Sequence, residues 1–338
     1  MPRLSRRLFL ASVAAAALLA PEAALAGAFT VKLTGFSAST LRGPARVAVG
    51  AYHLNFITSA QATAVAGIGA RTRLNTVLTG IDEALLRGLA DEAHDDLIKQ
   101  LAAAGLTVTP APEIRAALAA ANVPPVPGNL ARGGGGPGIT VNSSIKQGWV
   151  LVGPSAAPAL TPYNSLATGG PMQGGGGFGA LAALGTNNRL AKTAQSTNSL
   201  ILVPALILDF VNMSAQGGGG VFGGNAARVG GEVMFSIRQA SQVTLVNFGP
   251  NGTPNVGFMR LERDAPNPTP FATVEEGGAP VRVGSMTNWT DENYQQVARA
   301  RGDAVHIDRA AWTSLVRQAF TDYNGAIVAE LKKVRGAV

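Results

Sequence analysis

Four residue patterns in this chain have the types and spacing that chemistry requires. The first is a set of carboxylates: Asp82, Asp209, Glu232 and Glu262. Each falls near the end of an element or within a strand. Glycoside hydrolysis places two carboxyl groups roughly 5–10 Å apart, one as the acid and one as base or nucleophile. Asp209 stands out because it interrupts the apolar run Leu206-Ile-Leu-Asp-Phe-Val211. Its plainer reading is a strand residue leaving the buried region. The sequence brings no two of the four together. The second pattern is Ser143-x-x-Lys146, the spacing of the serine–lysine pair in penicillin-interacting enzymes. The supporting Ser-Asp-Asn and Lys-Thr-Gly elements are absent, and no clear helix opens at Ser143.

The third pattern is Gly174-x-Gly176-x-x-Gly179-Ala180, which matches the dinucleotide fingerprint by letter. That motif follows a buried strand, opens a helix and needs an acidic residue about 20 positions on. Here Pro171-Met172-Gln173 precedes it, and no Asp or Glu occurs from Gly174 to Leu208. Low-complexity glycine accounts for the match. The fourth pattern is histidine: His53, His94 and His306 have no mutual metal-ligand spacing. Asp91, His94 and Asp95 share one helix face, which reads as a solvated acidic face with its histidine. From these patterns we assign no catalytic, cofactor-binding or metal-ligating residue, and we expect no cofactor.

Composition narrows the classes further. The chain has no cysteine, which excludes disulfides, thiol catalysis, iron–sulfur clusters and a cysteine-borne lipid anchor. Charged residues are 14% of the chain and the net charge is +7, with no clustered basic run. Tyr52, Tyr163, Tyr294, Tyr323, Trp149, Trp289 and Trp312 form no stacking series. Nucleic acid is therefore not an expected partner; loose contact with an anionic surface suits the charge better. The start, Ser5-Arg6-Arg7-x-Phe9-Leu10, matches a twin-arginine signal. An apolar run from Leu8 to Ala20 follows, too short for a span of about 20 residues, and Ala24-Leu25-Ala26 supplies a cleavage site. The expectation is export to the periplasm, with residues 1–26 removed.

The elements that would position these residues are read from periodicity. Phe29–Leu33 and Arg46–Ile57 read as strands, and Thr58–Thr76 as a Gly/Ala/Thr-rich link. Gly80–Ala104 reads as a helix with Ile81, Leu85, Leu89, Ala93, Leu97 and Leu101 on one stripe, stopped by Gly105. A strand over Leu106–Thr109 and a helix from Pro112 to about Ala121 complete a βαβα unit, 27–121. Residues 122–198 carry two four-glycine runs and many prolines, and read as a partly mobile insertion whose one strand is Gly148–Gly153. In 199–338, Ser199–Met213 and Val229–Gln239 read as a long hairpin tipped by Gly217–Gly224. Strands at Gln242–Phe248 and Val256–Glu262 turn at Asn251-Gly252. Pro266–Gly278 reads as loop, Thr290 to about Arg301 as a short helix, and Asp308 to about Val334 as a long one. The fold class is α/β (α+β) with a mixed sheet, and 27–338 read as one domain.

The order from Ser199 to Arg238 is an apolar strand, the glycine-rich tip Gly217-Gly-Gly-Gly-Val-Phe-Gly-Gly224, then an alternating strand ending Phe235-Ser-Ile-Arg238. This resembles the central hairpin of the curli-secretion-channel group (CsgG and PelC). The Arg46–Val49 strand, the Gly80–Ala104 helix and the terminal helix fall in compatible order. The resemblance implies a periplasmic α/β domain that forms oligomeric rings, with hairpins that line or span an outer-membrane pore. The group usually carries a lipid-anchoring cysteine, which this chain lacks, and the 122–198 insertion is foreign to it. The functional expectation is a non-enzymatic exported cell-envelope protein with an assembly, secretion or interaction role, acting by self-association or on an envelope protein partner, with peripheral outer-membrane contact. The alternatives are a periplasmic carboxylate-dependent hydrolase and a periplasmic glycan or small-ligand binding protein.

Overall fold

The computed structural model describes residues 28–34, 40, 44–66, 70–135, 139–140, 143–160, 177–216, 228–249, 252–282 and 298–335. The signal-type segment 1–26, Gly174, Gly176, the Gly217–Gly224 tip and Trp289 lie outside them. In chain order the strands and helices begin with β1 (Leu33–Thr34), β2 (Arg46–Val49), β3 (His53–Ala66) and β4 (Ala70–Thr79). Helix α1 (Glu83–Ala103), β5 (Thr107–Val108) and α2 (Ala111–Ala120) follow. Then come β6 (Leu130–Gly135), β7 (Ile139–Thr140), β8 (Ser143–Val152) and α3 (Gly177–Thr197). The last part holds β9 (Ser199–Gln216), β10 (Arg228–Ile237), β11 (Gln242–Phe248), β12 (Pro254–Leu261), β13 (Ala265–Asn267), β14 (Ala272–Arg282), β15 (Ala298–Ile307) and α4 (Arg309–Arg335). The class is α/β. One mixed sheet runs β1-β12-β11-β9-β3-β4-β15-β14, and the remaining strands attach to its sides.

β9 organises the sheet because it is apolar on both faces and so must be covered on both. Its first half runs parallel to β2 and antiparallel to β11; its second half pairs antiparallel with β10. Leu200, Leu202, Leu206 and Leu208 join the core with α1 and α4. Ile201 and Val203 turn the other way, against Ile114 and Leu118 of α2 and Leu190, Ala191 and Ala194 of α3. Each such leucine or isoleucine contributes about 1.5–3 kcal/mol by leaving water.

The two long helices are built as their sequences suggest. Asp82 caps α1 by accepting from the Leu85 N–H at 2.8 Å, and Gly105 takes φ +79° beyond its last turn. Asp308 caps α4 by accepting from the Ala310 and Ala311 N–H groups. The α4 stripe from Trp312 to Leu331 is buried, and Trp312 packs on Phe56 with centroids 5.6 Å apart. Asn324, fully buried, ties the layers: it accepts from the Tyr52 hydroxyl and donates to the Ala93 carbonyl and to Asp96. Burial pushes the Tyr52 hydroxyl far above its ordinary pKa, so it stays a donor. Arg317 of α4 grips Glu92 of α1 through two bonds of 2.7 and 2.8 Å.

Several expectations are corrected. Arg46–Ile57 is not one strand: β2 and β3 are separated at Gly50–Tyr52, and their registers against β9 differ by one residue. Nor is Thr58–Thr76 a link, since β3 continues to Ala66 and turns into β4. Its small residues alternate, with Ala60, Ala62 and Ala64 buried, a period-2 signal that alanine-rich composition hides. The 122–198 segment holds β6, β7, β8 and α3 rather than a single strand. Glycines 133–135 enter β6 because the Trp149 ring lies where a Cβ on Gly133 would go. Pro266–Gly278 contains the last two residues of β13 and the first seven of β14. Residues 298–301 open strand β15, not the end of a helix, and 283–297 lie outside the described residues.

Replacing Trp312 with Ala should lower the unfolding free energy by about 3–5 kcal/mol, through lost transfer and the cavity left against Phe56. Urea unfolding followed by circular dichroism checks it.

Candidate functional site

The four carboxylates do not meet. Asp82 caps α1 and pairs with Arg309 at 2.8 Å; the Leu85 N–H and then Arg309 hold its carboxyl below the ordinary range. Glu262 pairs with Lys32 on the surface at 2.7 Å, and that bond lowers its pKa. Glu232 is exposed on β10, opposite Asn212. Asp209 is the exception in a different sense: it does not leave the buried region, because its side chain is fully enclosed.

The surroundings of Asp209 explain how a carboxylate sits there. Its Oδ1 accepts from the Phe210 and Val211 N–H groups at 2.8 and 3.2 Å. Its Oδ2 accepts from Gln147 of β8 at 2.8 Å and faces the Arg238 Nε at 3.6 Å. Arg238 in turn pairs with Asp264 at 3.1 Å. Burial pushes the Asp209 carboxyl up to about 6; Arg238 and the three hydrogen bonds pull the other way and do not cancel it. The group has partners on two strands, β8 and its own β9, and on Arg238 just after β10.

Asp209 marks where the cover of β9 changes. Beyond it, Val211, Met213 and Ala215 share one face of the β9–β10 hairpin with Val229, Gly231 and Val233. That face lies on β3 and β4: a Cβ on Gly231 would come within 2.9 Å of the Leu74 Cδ2. Leu74 is paired with Ala62 in the β3–β4 hairpin. The two hairpins thus stack through a row of small and apolar side chains. The faces turned away from the stack are polar. Asn212, Ser214 and Glu232 are exposed on one; on the other Gln61 and Arg73 are half-buried and Asn75 is buried, where the Gln61 Nε2 donates to Asn75 at 2.6 Å.

A cleft of about 510 Å³ lies at the base of the β3–β4 hairpin, closed by β6, β8 and the first turn of α1. Trp149 forms one wall; Asp82, Glu83 and Arg132 stand in the lining, with Thr58 and Ser59. Among the described residues the Trp149 indole N–H has no hydrogen-bond partner although it is buried. An orphaned donor of this kind costs about 1–3 kcal/mol.

No family model, curated protein or solved structure matches this chain. Ser143 and Lys146 lie on strand β8, where residues three apart alternate between faces, so the helical geometry of the serine–lysine enzymes is not formed. Gly179 and Ala180 lie inside α3. His94 is buried, not part of a solvated face, and burial lowers its pKa; Asp91 is taken by the Ser155 N–H at 2.6 Å. His53 is also buried, and its Nε2 accepts from the Leu160 N–H. His306 is exposed between Glu275 and Thr79. Among the described residues no group of three or more His, Asp or Glu could hold a metal, and no helix is long and apolar enough to cross a membrane. Sequence reasoning missed Gln147, Arg238 and Arg132. The one available signal was Trp149 facing a glycine run, which fits an aromatic ring covering a cross-strand glycine.

The raised carboxyl of Asp209 predicts a pH dependence. Folding favours its neutral form, so its contribution is fully present below the unfolded value of 3.8 and is lost as pH rises through about 6. The loss is on the order of 3 kcal/mol. Asp209→Asn should flatten the fall in stability between about pH 4 and pH 7, measured by urea unfolding across that range.

Proposed function

We propose that this protein is a non-enzymatic component of the cell envelope that works by assembly, through self-association or capture of an envelope protein at its stacked hairpins. The observation that carries the reading is the stacking itself. β9 and β10 continue as a paired ribbon past the helices that cover the first half of β9, and their apolar face packs in part on β3 and β4. The exposed rows Asn212, Ser214 and Glu232 are left as a regular polar surface with strand geometry. A regular strand surface beyond a helix-covered core suits docking more than catalysis. The commitments of Asp82, Asp209 and Glu262 to basic or backbone partners argue in the same direction. The twin-arginine pattern supports an exported location, and the sequence resemblance of Ser199–Arg238 to the curli-secretion-channel group supports an assembly role.

A second reading, a glycan or small-ligand binding protein, is favoured by one observation, the cleft beside Trp149.

Size-exclusion chromatography with light scattering, on the chain starting at Gly27, tests the first reading. An oligomer is expected, and a strictly monomeric mass at micromolar concentration removes the ring-forming version. Asn212→Arg combined with Ser214→Arg should shift the oligomer to monomer while the circular dichroism spectrum stays unchanged. An oligomer indifferent to both substitutions places the contact elsewhere.

A further inference from the structure

The cleft at Trp149 has a construction that its packing role does not require. In the β6–β8 pairing Gly133 stands opposite Trp149, and a Cβ on Gly133 would fall within 2.4 Å of the ring. The indole therefore packs against the glycine backbone, where no side chain displaces it, and also lines the cleft. Val77, Leu78, Leu86 and Val150 give the cleft an apolar floor. Glu83, Asp82 and Arg132 bring charged hydrogen-bonding groups to the same space. The indole N–H is closed off without a partner, so the ring is held by packing at a cost in stability that phenylalanine would not carry. A residue that breaks a packing rule inside a cleft is where function is expected.

We propose that this cleft binds a neutral saccharide, with a pyranose ring stacked on the Trp149 face and its hydroxyls bonded to Glu83, Asp82 and Arg132. The inference rests on the cleft and not on the hairpins. Its size falls within the range of ligand pockets, about 300–1,000 Å³. A sugar ring has an apolar C–H face and a rim of hydroxyls, which matches one aromatic plane bordered by acceptors and donors. The charges of the rim are matched: Asp82 pairs with Arg309 at 2.8 Å, while Glu83 holds Arg87 at 2.8 Å and faces Arg132 at 3.8 Å. A charged ligand would upset that balance. A wholly apolar one would bury carboxylates and guanidinium groups with nothing to replace their water. A polyhydroxylated neutral ligand replaces it group for group.

Isothermal titration of the chain starting at Gly27 with chitotetraose and with cellotetraose tests this. At least one should bind with a dissociation constant in the micromolar to millimolar range, and Trp149→Ala should weaken it by about tenfold or more. Trp149→Phe keeps a ring and removes the orphaned N–H. It should hold the melting temperature while still weakening binding, which separates loss of ligand from loss of fold. Neither sugar binding at millimolar concentration, or binding indifferent to both Trp149 variants, overturns the proposal. So does Trp149-dependent binding of the uncharged apolar dye N-phenyl-1-naphthylamine without any sugar, since the cleft would then take an apolar ligand. The oligomeric state is read separately, so an oligomer that binds no sugar, or a monomer that does, distinguishes the two readings.

Discussion

The length of β9 is the constraint from which the rest of this architecture follows. Its 18 residues span about 60 Å at roughly 3.3 Å each. The longest helix, α4, has 27 residues and covers only about 40 Å. A strand that outruns every helix packed on it needs a second source of cover. The first half finds it between α1 and α4 on one side and α2 and α3 on the other. The second half finds it in another hairpin. β3 accompanies β9 only from His53 to Phe56, keeps β8 on its other edge from Leu54 on, and then exchanges β9 for β4, and so comes to lie across the face that β9 would otherwise expose.

Asp209 sits at that changeover, and its position gives a buried carboxylate a physical role. The β9–β10 register shifts between Val233 and Ser236, and Ser236 is the residue opposite Asp209. A one-residue slip in a hairpin exchanges its two faces. Here that would bury Asn212 and Glu232 and expose Val211 and Val233. Its two backbone donors belong to β9 and move with it, but a carboxylate tied to the Gln147 amide of β8 and to Arg238 after β10 fits only one register. The cost of burying it is visible in its raised pKa. The arrangement gives up some stability for a defined alignment, the role for which buried polar groups are best attested.

What was legible in the sequence follows signal strength. The stripes of α1 and α4, the Asp308 start of α4 and the alternation of β10 are strong local signals, and they appear nearly where the residues place them. The β3–β4 hairpin was hidden because its inner row is alanine, which carries little hydrophobic contrast with the threonines and glutamine beside it. β6 was hidden because glycine reads as loop, and only a tryptophan on the neighbouring strand makes a glycine strand stable. The candidate sites divide in the same way. Asp209 and Trp149 could be singled out as unusual by type and neighbours. Gln147 and Arg238, which hold Asp209 from positions far away in sequence or beyond a bulge, become legible only once the sheet is assembled.

The stacked hairpins also determine what kind of contact they can make. In a membrane-spanning hairpin one face is apolar toward lipid and the other polar toward water. The β9–β10 hairpin has that alternation, but its apolar face is spent on Leu74 and the alanine row of β3. Turning it to lipid would uncover both hairpins at once. The lipid would return about the apolar burial that was lost, so hydrophobic area does not choose between the two arrangements. The polar groups choose: separation breaks the bond from Gln147 to Asp209 and leaves an enclosed carboxylate short of a donor. With the hairpins stacked, a contact through the outer face of β9–β10 uses Asn212, Ser214 and Glu232, exposed groups that hydrogen-bond and keep water. An assembly built on that face would be wet, polar and sensitive to ionic strength, because the charge it buries would be screened by salt.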